Sequence, residues 1–236
     1  MKEYLIIVIG FSCLLSSFSC SKKRSTDQNN HIKRIELTPK YKQIENLISI
    51  ADCQGPDGNY ITEVHSTKNG YTYFSQKYEY KDDEFEVILE NEDFGYSVDL
   101  ASGQKDTLSQ PVLEVIKGHE FHKISLFPDM FFSNIMYQKD SIFRSQSCEV
   151  FSATDHSRNP VRIFYDRNEM LIIGFNFYNP FDPSEKIETH FQKWEASDYG
   201  KLVKELEIVQ AERDTFNFIF NRILINSEKF DRKSYH

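Results

Sequence analysis

Two histidines three positions apart, His119 and His122, form the part of the sequence that most resembles a reactive site. On a helix their side chains would be neighbours, whereas on a strand they would face opposite sides. Their spacing differs from that of the HExxH zinc motif, and no third metal ligand is evident nearby in the sequence. Because Gly118 precedes them, we predict that a strand begins here and that the histidines lie in a loop or at a sheet edge.

The other residues that could act in catalysis show no recognisable arrangement. Ser141, Ser145 and Ser147 lie outside any GxSxG motif, and the chain has no Walker or GxGxxG loop. The many carboxylates give no reason to pair two of them as an acid and a base. We therefore expect no catalytic residue, no metal and no cofactor. A metal-dependent hydrolase that uses His119 and His122 is the weaker alternative.

The N-terminus has the pattern of an export signal. Residues 4–15 form an apolar run that is too short to span a bilayer but suits the core of a signal peptide. Small residues then lead to Cys20, and this order resembles the lipobox of bacterial lipoproteins, from which Phe18 departs. The resemblance implies a signal peptide over residues 1–19 and acylation of Cys20, which anchors a protein stably when two or three chains are attached. An ordinary secretory signal with an incidental cysteine is the alternative.

A polar segment follows the cysteine. Residues 20–35, with the acylated cysteine at their start, lack apolar periodicity and are expected to form a flexible tether, which leaves residues 36–236 as a single domain. Lys22 and Lys23 stand where some bacteria place an acidic cluster for surface export. We therefore expect a lipid-anchored protein of the cell envelope, at the outer membrane and facing the periplasm, with the membrane as a partner and an unidentified membrane protein as a further one.

Two cysteines remain for the folded domain, Cys53 and Cys148. In an oxidising export compartment they are the only possible pair, so we predict a disulfide between them. That bridge would close a loop of about 95 residues and stabilise the fold by several kcal/mol in the chain-entropy model. Two separate buried thiols are the alternative.

The composition excludes two classes of protein. With 39% hydrophobic residues and a formal net charge of −8 among 236 residues, the chain is neither natively disordered nor equipped with the basic face of a nucleic-acid binder. Its 20 Phe and 13 Tyr residues suit half-buried pleated surfaces. We therefore predict a sheet-rich fold with no nucleic acid among its partners.

A helical pattern opens the domain. Residues 39–51 follow Thr38, which could cap a helix, and end before a turn at residues 55–58. Apolar residues recur within them at the spacing of one helix face, at Tyr41, Ile44, Leu47, Ile48 and Ala51. We predict an amphipathic helix here.

Patterns with a period of two follow this segment. Alternating apolar and polar residues predict strands over residues 84–90 and 96–101, and residues 60–66, 71–80, 161–166, 170–178, 187–194 and 216–225 also have the composition of strands. Short polar turns between consecutive strands, such as Asn69 and Gly70, indicate an antiparallel sheet. Residues 111–117 and 128–137 lie between the two sets of strands and are candidates for short helices.

Two predicted strands, residues 170–178 and 216–225, are apolar on both faces and need cover on both. We expect the helix at residues 39–51 to cover a curved sheet, and any remaining apolar concavity to bind a ligand. A filled aromatic core is the alternative, which would suit an accessory lipoprotein that binds other proteins. The residues expected to line the cavity or its lid are Ile44, Leu47, Phe74, Phe85, Val87, Leu89, Ile173, Phe175, Phe177 and Phe218.

The order of these parts resembles that of a known superfamily. A lipoprotein tether, one helix, a meander, an insertion with short helices and a second set of strands follow one another, and the last strand ends in Ile225 and Asn226 with Phe230 after it. Across residues 38–232 this pattern is similar to the outer-membrane lipoprotein carrier and receptor superfamily, the Lol-type half-barrels. The resemblance implies a mainly β (α+β) fold: an antiparallel half-open barrel with an N-terminal helix, and short helices as a lid.

The superfamily also implies a function. Its concave face holds acyl chains of lipids or lipoproteins, and it has no catalytic residues to transfer to this chain. Receptor-type members push an exposed apolar loop into the membrane, and residues 127–132 are either such a loop or a buried turn. The resemblance therefore implies an apolar ligand and a place in lipid or lipoprotein trafficking.

Overall fold

One antiparallel sheet of 13 strands carries most of the chain in the computed structural model, which describes residues 43–80 and 84–230. The strands are β1 (Asn46–Gly55), β2 (Gly58–Thr67), β3 (Thr72–Tyr78), β4 (Glu84–Asn91), β5 (Phe94–Val98), β6 (Lys105–Thr107), β7 (Ser133–Phe143), β8 (Gln146–Thr154), β9 (Pro160–Asp166), β10 (Leu171–Tyr178), β11 (Lys186–Ser197), β12 (Gly200–Gln210) and β13 (Asp214–Ile225). Between β6 and β7 lie the helices α1 (Gln110–Gly118) and α2 (Phe121–Leu126) and a 3-10 turn (Pro128–Met130). The signal peptide, Cys20 and the tether expected from the sequence lie outside the described residues.

The chain enters the sheet at its centre. β1 to β6 run outward in consecutive hairpins to one edge, the helical segment leads to the other edge, and β7 to β13 return to the centre, where β13 pairs with β1. β6 and β7 therefore form the two edges, and the sheet is not closed. The predicted mainly β fold, a half-open antiparallel barrel with short helices, is confirmed in these respects.

The N-terminal helix predicted for residues 39–51 is wrong over the part that the structure describes. Residues 46–51 belong to β1, which pairs with β2 on one side and with β13 on the other. Leu47 and Ile48 are both buried, and adjacent residues of a strand point to opposite faces of a sheet. The apolar stripe therefore belongs to a strand that is covered on both faces rather than to a helix.

The helices that cover the sheet lie in the mid-chain insertion. The helix predicted at residues 111–117 is confirmed as α1. Pro111 lies in its first turn, where a backbone N–H has no partner within the helix, so the absence of an N–H in proline costs no hydrogen bond. α2 occupies the place where we predicted the start of a strand, and its six residues are all buried, so no polar face marks it as a helix in the sequence. Residues 128–137, predicted as helical, form only the 3-10 turn before β7 begins.

The two faces of the sheet carry separate apolar clusters. On the inner face, α2 contributes Phe121 and Ile124 to the largest cluster, which also contains Phe151, Phe191 and Phe218. α1 covers the neighbouring part of this face through Leu113 and Ile116, which pack with Val64, Phe74, Val87 and Leu89. On the outer face, one cluster unites Tyr71, Tyr73, Ile88, Tyr96 and Val98 with Phe230, and another contains Phe143, Cys148, Val150, Phe164 and Ile173.

Candidate functional site

A cavity of about 330 Å³, called the main cavity here, lies between the helices and the inner face of the sheet. Its volume falls in the range of small-molecule sites in proteins. β3 and β10 both contribute to it although five strands separate them in the sheet, so the sheet curls around the space. The lining residues are Tyr60, Gln76, Tyr78, Val115, Gly118, His119, Phe121, Phe177, Asn179, Phe181, Ile187, Thr189, Ile208, Gln210, Phe216 and Phe218.

Aromatic rings form much of the wall of the main cavity. The ring centroid of Tyr60 lies 5.4 Å from that of Tyr78 and 6.3 Å from that of Phe218, and Phe121 lies 5.5 Å from Phe218. The rings meet at tilted or edge-on angles, which is the favourable arrangement for aromatic pairs. Burial raises the pKa of the Tyr60 phenol, so this wall carries no charge at neutral pH.

No charged side chain lines the main cavity within the described part of the chain. Its polar groups are those of Gln76, His119, Asn179, Thr189 and Gln210, together with the hydroxyls of Tyr60 and Tyr78. Two of these groups are fixed in position, because the side-chain amides of Asn179 and Gln210 both donate hydrogen bonds to Glu185. The bond from Gln210 is 3.1 Å long. Since an unpaired charge is costly to bury, this lining favours a neutral, mostly apolar ligand.

An exposed aromatic ring stands at the entrance of the main cavity. Phe181, in the loop between β10 and β11, lines the cavity and is still 61% exposed. The loop backbone is held by its own side chains, since Asn179 accepts a bond from the Phe181 N–H and Asp182 accepts one from the Ser184 N–H. The loop therefore presents an apolar surface at the entrance to an apolar space.

His119 lies against the main cavity just after the end of α1. Its Nδ1 is 2.8 Å from the carbonyl oxygen of Val115, which can only accept a hydrogen bond, so Nδ1 carries the proton. Burial lowers the pKa of His119, and its neutral ring lies 5.2 Å from Phe74 and 5.7 Å from Phe121 between centroids. The other ring nitrogen, Nε2, is left as a hydrogen-bond acceptor.

His122 serves a different purpose from His119. Its Nε2 donates a hydrogen bond of 2.9 Å to the carbonyl oxygen of Val203, and its ring centroid lies 4.4 Å from that of Phe220. Burial lowers the pKa of His122 to about 4, so it is neutral at physiological pH. The two histidines do not converge, and no group of three or more potential metal ligands occurs among residues 43–80 and 84–230.

An ion pair fixes the turn between α1 and α2. Glu120 and Lys123 lie 2.7 Å apart and are almost completely buried, and Thr72 of β3 donates a hydrogen bond to Glu120. Removing either charge would leave the other buried without its partner, which is strongly unfavourable. The turn is therefore tied to β3, and the helices form a fixed wall of the main cavity.

A second, smaller cavity of about 50 Å³ adjoins the main one. Gly118 and Phe177 line both spaces, so these two residues form part of the wall between them. Phe131, Phe132 and Phe175 also line the smaller cavity. A side chain that moved at this wall would join the two spaces into a longer one.

The residues that we expected to line a cavity occupy several different places. Phe177 and Phe218 line the main cavity, and Phe175 lines the smaller one. Phe74, Val87 and Leu89 pack under α1, whereas Phe85 is 43% exposed and touches the edge of Phe74. Ile44 and Leu47 belong to a separate apolar cluster with Leu126, Phe127 and Leu202, which corrects their placement in a lid helix.

Ile173 faces the opposite side of the sheet from the cavity, so its expected place in the lining is wrong. It belongs to the outer cluster with Phe143 and Phe164. The reason is an irregularity in the pairing of β9 with β10 between Ile172 and Gly174, which inserts a residue and reverses the alternation. Ile173 and Phe175 would share a face in a regular strand but do not share one here.

The predicted disulfide between Cys53 and Cys148 is absent, and both cysteines are free and buried. Cys53 belongs to the inner cluster and Cys148 to an outer one, on strands separated by five others. Burial raises the pKa of the Cys53 thiol to about 12 and also raises that of Cys148. Two separate buried thiols, the alternative considered from the sequence, describe the structure.

Several lining residues were not selected from the sequence. Phe216 and Thr189 lie on predicted strands, and Ile208 lies on the segment before the last predicted strand. Each is two positions away from a residue of the inner cluster (Phe218, Phe191 and Leu206 respectively), and this spacing of two is the signal that places all three on the inner face. His119 and Phe121 were expected in a strand or loop, so their approach to the sheet was not foreseen. Residues 127–132 form a buried turn, since Phe127, Phe131 and Phe132 are each only 8% exposed.

Solved structures share this fold although their sequences are very different. A domain described as an outer membrane lipoprotein-sorting protein from Vibrio parahaemolyticus matches with a TM-score of 0.59 and 10% identity, covering 85% of this chain and 95% of that one. A LolA-superfamily protein from Nitrosomonas europaea gives a TM-score of 0.60 at 8% identity, covering 84% and 94%. A DUF1329-family protein from Desulfovibrio piger gives 0.56 at 11% identity, covering 86% and 95%.

The likeness lies in the fold and not in the sequence. No protein-family model matches this chain, and no curated protein is significantly similar to it. The resemblance to the lipoprotein carrier and receptor superfamily is thus confirmed at the level of the fold.

Proposed function

We propose that the main cavity binds an acyl chain and that the protein is an envelope lipoprotein that handles lipids or acylated proteins. The observation that carries this proposal is a cavity of about 330 Å³ with aromatic walls and, among the described residues, no charged lining. The fold shared with a lipoprotein-sorting domain and a LolA-superfamily protein supports it. The proposed role involves no catalysis.

The proposed anchor is an acylated Cys20, followed by a polar tether that holds the folded domain away from the bilayer. In residues 43–80 and 84–230, no helix has the length and apolar character needed to cross a membrane. The domain would face the periplasm from the outer membrane, where an acylated ligand could pass between the cavity and the lipid surface. A membrane protein that delivers or receives this ligand would be its partner.

The binding energy would come from burial of the chain. Each methylene group moved from water into an apolar site contributes about 0.8 kcal/mol, so affinity should rise with chain length until the cavity is full. Headgroups would remain at the entrance, beside Phe181 and the amides of Asn179 and Gln210. Because these three side chains are uncharged, the entrance can accept a range of headgroups rather than one.

Gly118→Phe is expected to weaken the binding of hexadecanoic acid by a factor on the order of 50. A Cβ atom at Gly118 would meet only Phe177, at 4.0 Å, so a larger side chain can enter the cavity without a clash with the backbone. A phenyl group that displaces about three methylenes of the ligand removes about 2.4 kcal/mol of burial. Displacement of a fluorescent fatty acid measures the change.

The matched control is Gly118→Ala, which adds a methyl group to the same wall. Alanine should leave binding within about twofold and should stabilise the end of α1 slightly, because it has less conformational entropy to lose than glycine. Equal affinity of the phenylalanine variant and the natural protein for hexadecanoic acid would contradict the assignment of the main cavity as the acyl site.

A further inference from the structure

His119 places an uncharged hydrogen-bond acceptor in the wall of the main cavity, where its ring packs beside Phe74 and Phe121. Its Nδ1 is committed to the carbonyl oxygen of Val115, so the acceptor Nε2 is on the side of the ring away from the helix backbone. His119 as a residue is half-buried although Phe74 and Phe121 lie close to its ring, and it lines the main cavity. The side-chain NH2 groups of Asn179 and Gln210 are engaged by Glu185, and the Asn179 oxygen accepts a hydrogen bond from the Phe181 N–H.

The position of His119 along the main cavity can be compared with β3, which also contributes to the lining. Tyr78 ends β3, and Phe74, which packs against His119, is four residues further along this strand, a distance of about 13 Å at the rise of an extended chain. An extended alkyl chain with carbon–carbon bonds of about 1.5 Å advances about 1.25 Å per bond, so an acyl chain whose carboxyl group lies beside Tyr78 reaches the level of Phe74 and His119 at about its tenth or eleventh carbon. A simple alkyl chain has no donor at that position.

We propose that the main cavity prefers an acyl chain that carries a hydroxyl group along its length, and that His119 accepts the hydrogen bond from this hydroxyl. The inference rests on the proposed function, because it requires that the cavity binds an acyl chain. An unsubstituted chain would displace water from Nε2 and leave the acceptor without a partner, whereas a mid-chain hydroxyl would replace that water. The lining also carries the hydroxyl groups of Thr189, Tyr60 and Tyr78, of which Thr189 and Tyr60 are only 1% and 6% exposed and offer little surface to a ligand.

The test compares four ligands that share one sixteen-carbon chain: hexadecanoic acid, 2-hydroxyhexadecanoic acid, 10-hydroxyhexadecanoic acid and the methyl ether of the last. They compete with a fluorescent fatty acid for the protein from Ser21 onward, which contains every residue that the structure describes. We expect the 10-hydroxy acid to bind about tenfold more tightly than the other three, the value of a single buried hydrogen bond. The 2-hydroxy acid controls for a hydroxyl at the entrance, and the ether controls for bulk and for the oxygen atom.

Two variants assign the preference to His119. His119→Phe keeps a ring between Phe74 and Phe121 but removes the acceptor, so it should bind all four ligands with nearly equal affinity. His119→Gln keeps an acceptor oxygen and should retain part of the preference. These comparisons use ratios between ligands on one protein, so a variant with less folded material still gives a valid answer.

The outcomes separate this inference from the proposed function. If hexadecanoic acid binds but the natural protein shows no preference for the 10-hydroxy acid, or if His119→Phe keeps the preference, the inference is overturned and the acyl site stands. If none of the four ligands binds, the proposed function itself is wrong.

Discussion

Gly174→Val is expected to destabilise the protein by about 3 kcal/mol, the upper end of the usual cost of overpacking a buried site. A Cβ atom at this position would lie 2.5 Å from the carbonyl oxygen of Thr189 and 2.6 Å from the ring of Phe143. Gly174 pairs with His190 in the sheet, so the backbone of β10 cannot move away without losing its contact with β11. Only a glycine fits beneath the Phe143 ring here.

Urea unfolding of the natural protein and the variant measures this loss. Gly174→Ala adds the Cβ atom alone and should already cost a large part of the stability, which keeps the measurement possible if the valine variant does not fold. Gly118→Ala is the matched control, because a Cβ atom at Gly118 has no contact closer than 4.0 Å. An unchanged unfolding midpoint for Gly174→Ala would show that β10 and Phe143 are not arranged as described.

His122 is expected to make the protein sensitive to mild acid. Burial lowers its pKa in the folded state to about 4, whereas the unfolded chain has the ordinary value near 6.5. The unfolded state therefore binds more protons between these two values, and stability must fall as the pH is lowered from about 6.5 to about 4. The expected loss from this group is about 3 kcal/mol.

His122→Gln isolates this contribution, because glutamine does not titrate and its amide can still donate to the Val203 carbonyl. Between pH 7 and pH 4 the variant should lose about 3 kcal/mol less stability than the natural protein in urea titrations. His156→Gln, at an exposed site, should follow the natural protein. Parallel pH profiles for all three proteins would show that His122 is not buried in its neutral form.

The strands could be predicted from the sequence where one face differs from the other. β3, β4, β9 and β11 follow the predicted ranges closely, because alternation with a period of two survives in each, and β10 and β13 were recognised as apolar runs of strand length. β7 was not predicted as a strand, since it forms an edge and most of its residues are exposed, so no alternation marks it. β1 was predicted as a helix because this strand is buried on both faces. Its apolar residues therefore show no period of two, and their spacing also fits one face of a helix.

The candidate site could be predicted only in outline. The sequence contains more apolar strand surface than its few predicted helical residues can cover, and this excess predicts an apolar concavity under a helical lid. Which residues face it depends on features that the sequence does not display, such as the irregularity at Ile172 and Gly174 that sends Ile173 to the outer face. The approach of His119 and Phe121 depends on the path of α1 and α2 across the sheet, which is set by long-range packing against Phe74 and Phe218.

The central claim is that the main cavity holds an acyl chain, and native mass spectrometry of the protein from Ser21 onward, purified without detergent, tests it most directly. We expect a mass increase equal to one acyl ligand, identified by extraction, and its loss in Ile208→Asp, which places a charge in the cavity wall. Ile219→Asp, on the exposed side of β13, should keep the ligand. A ligand-free mass that does not change when fatty acids are added would contradict the claim and would indicate a filled core with protein partners instead.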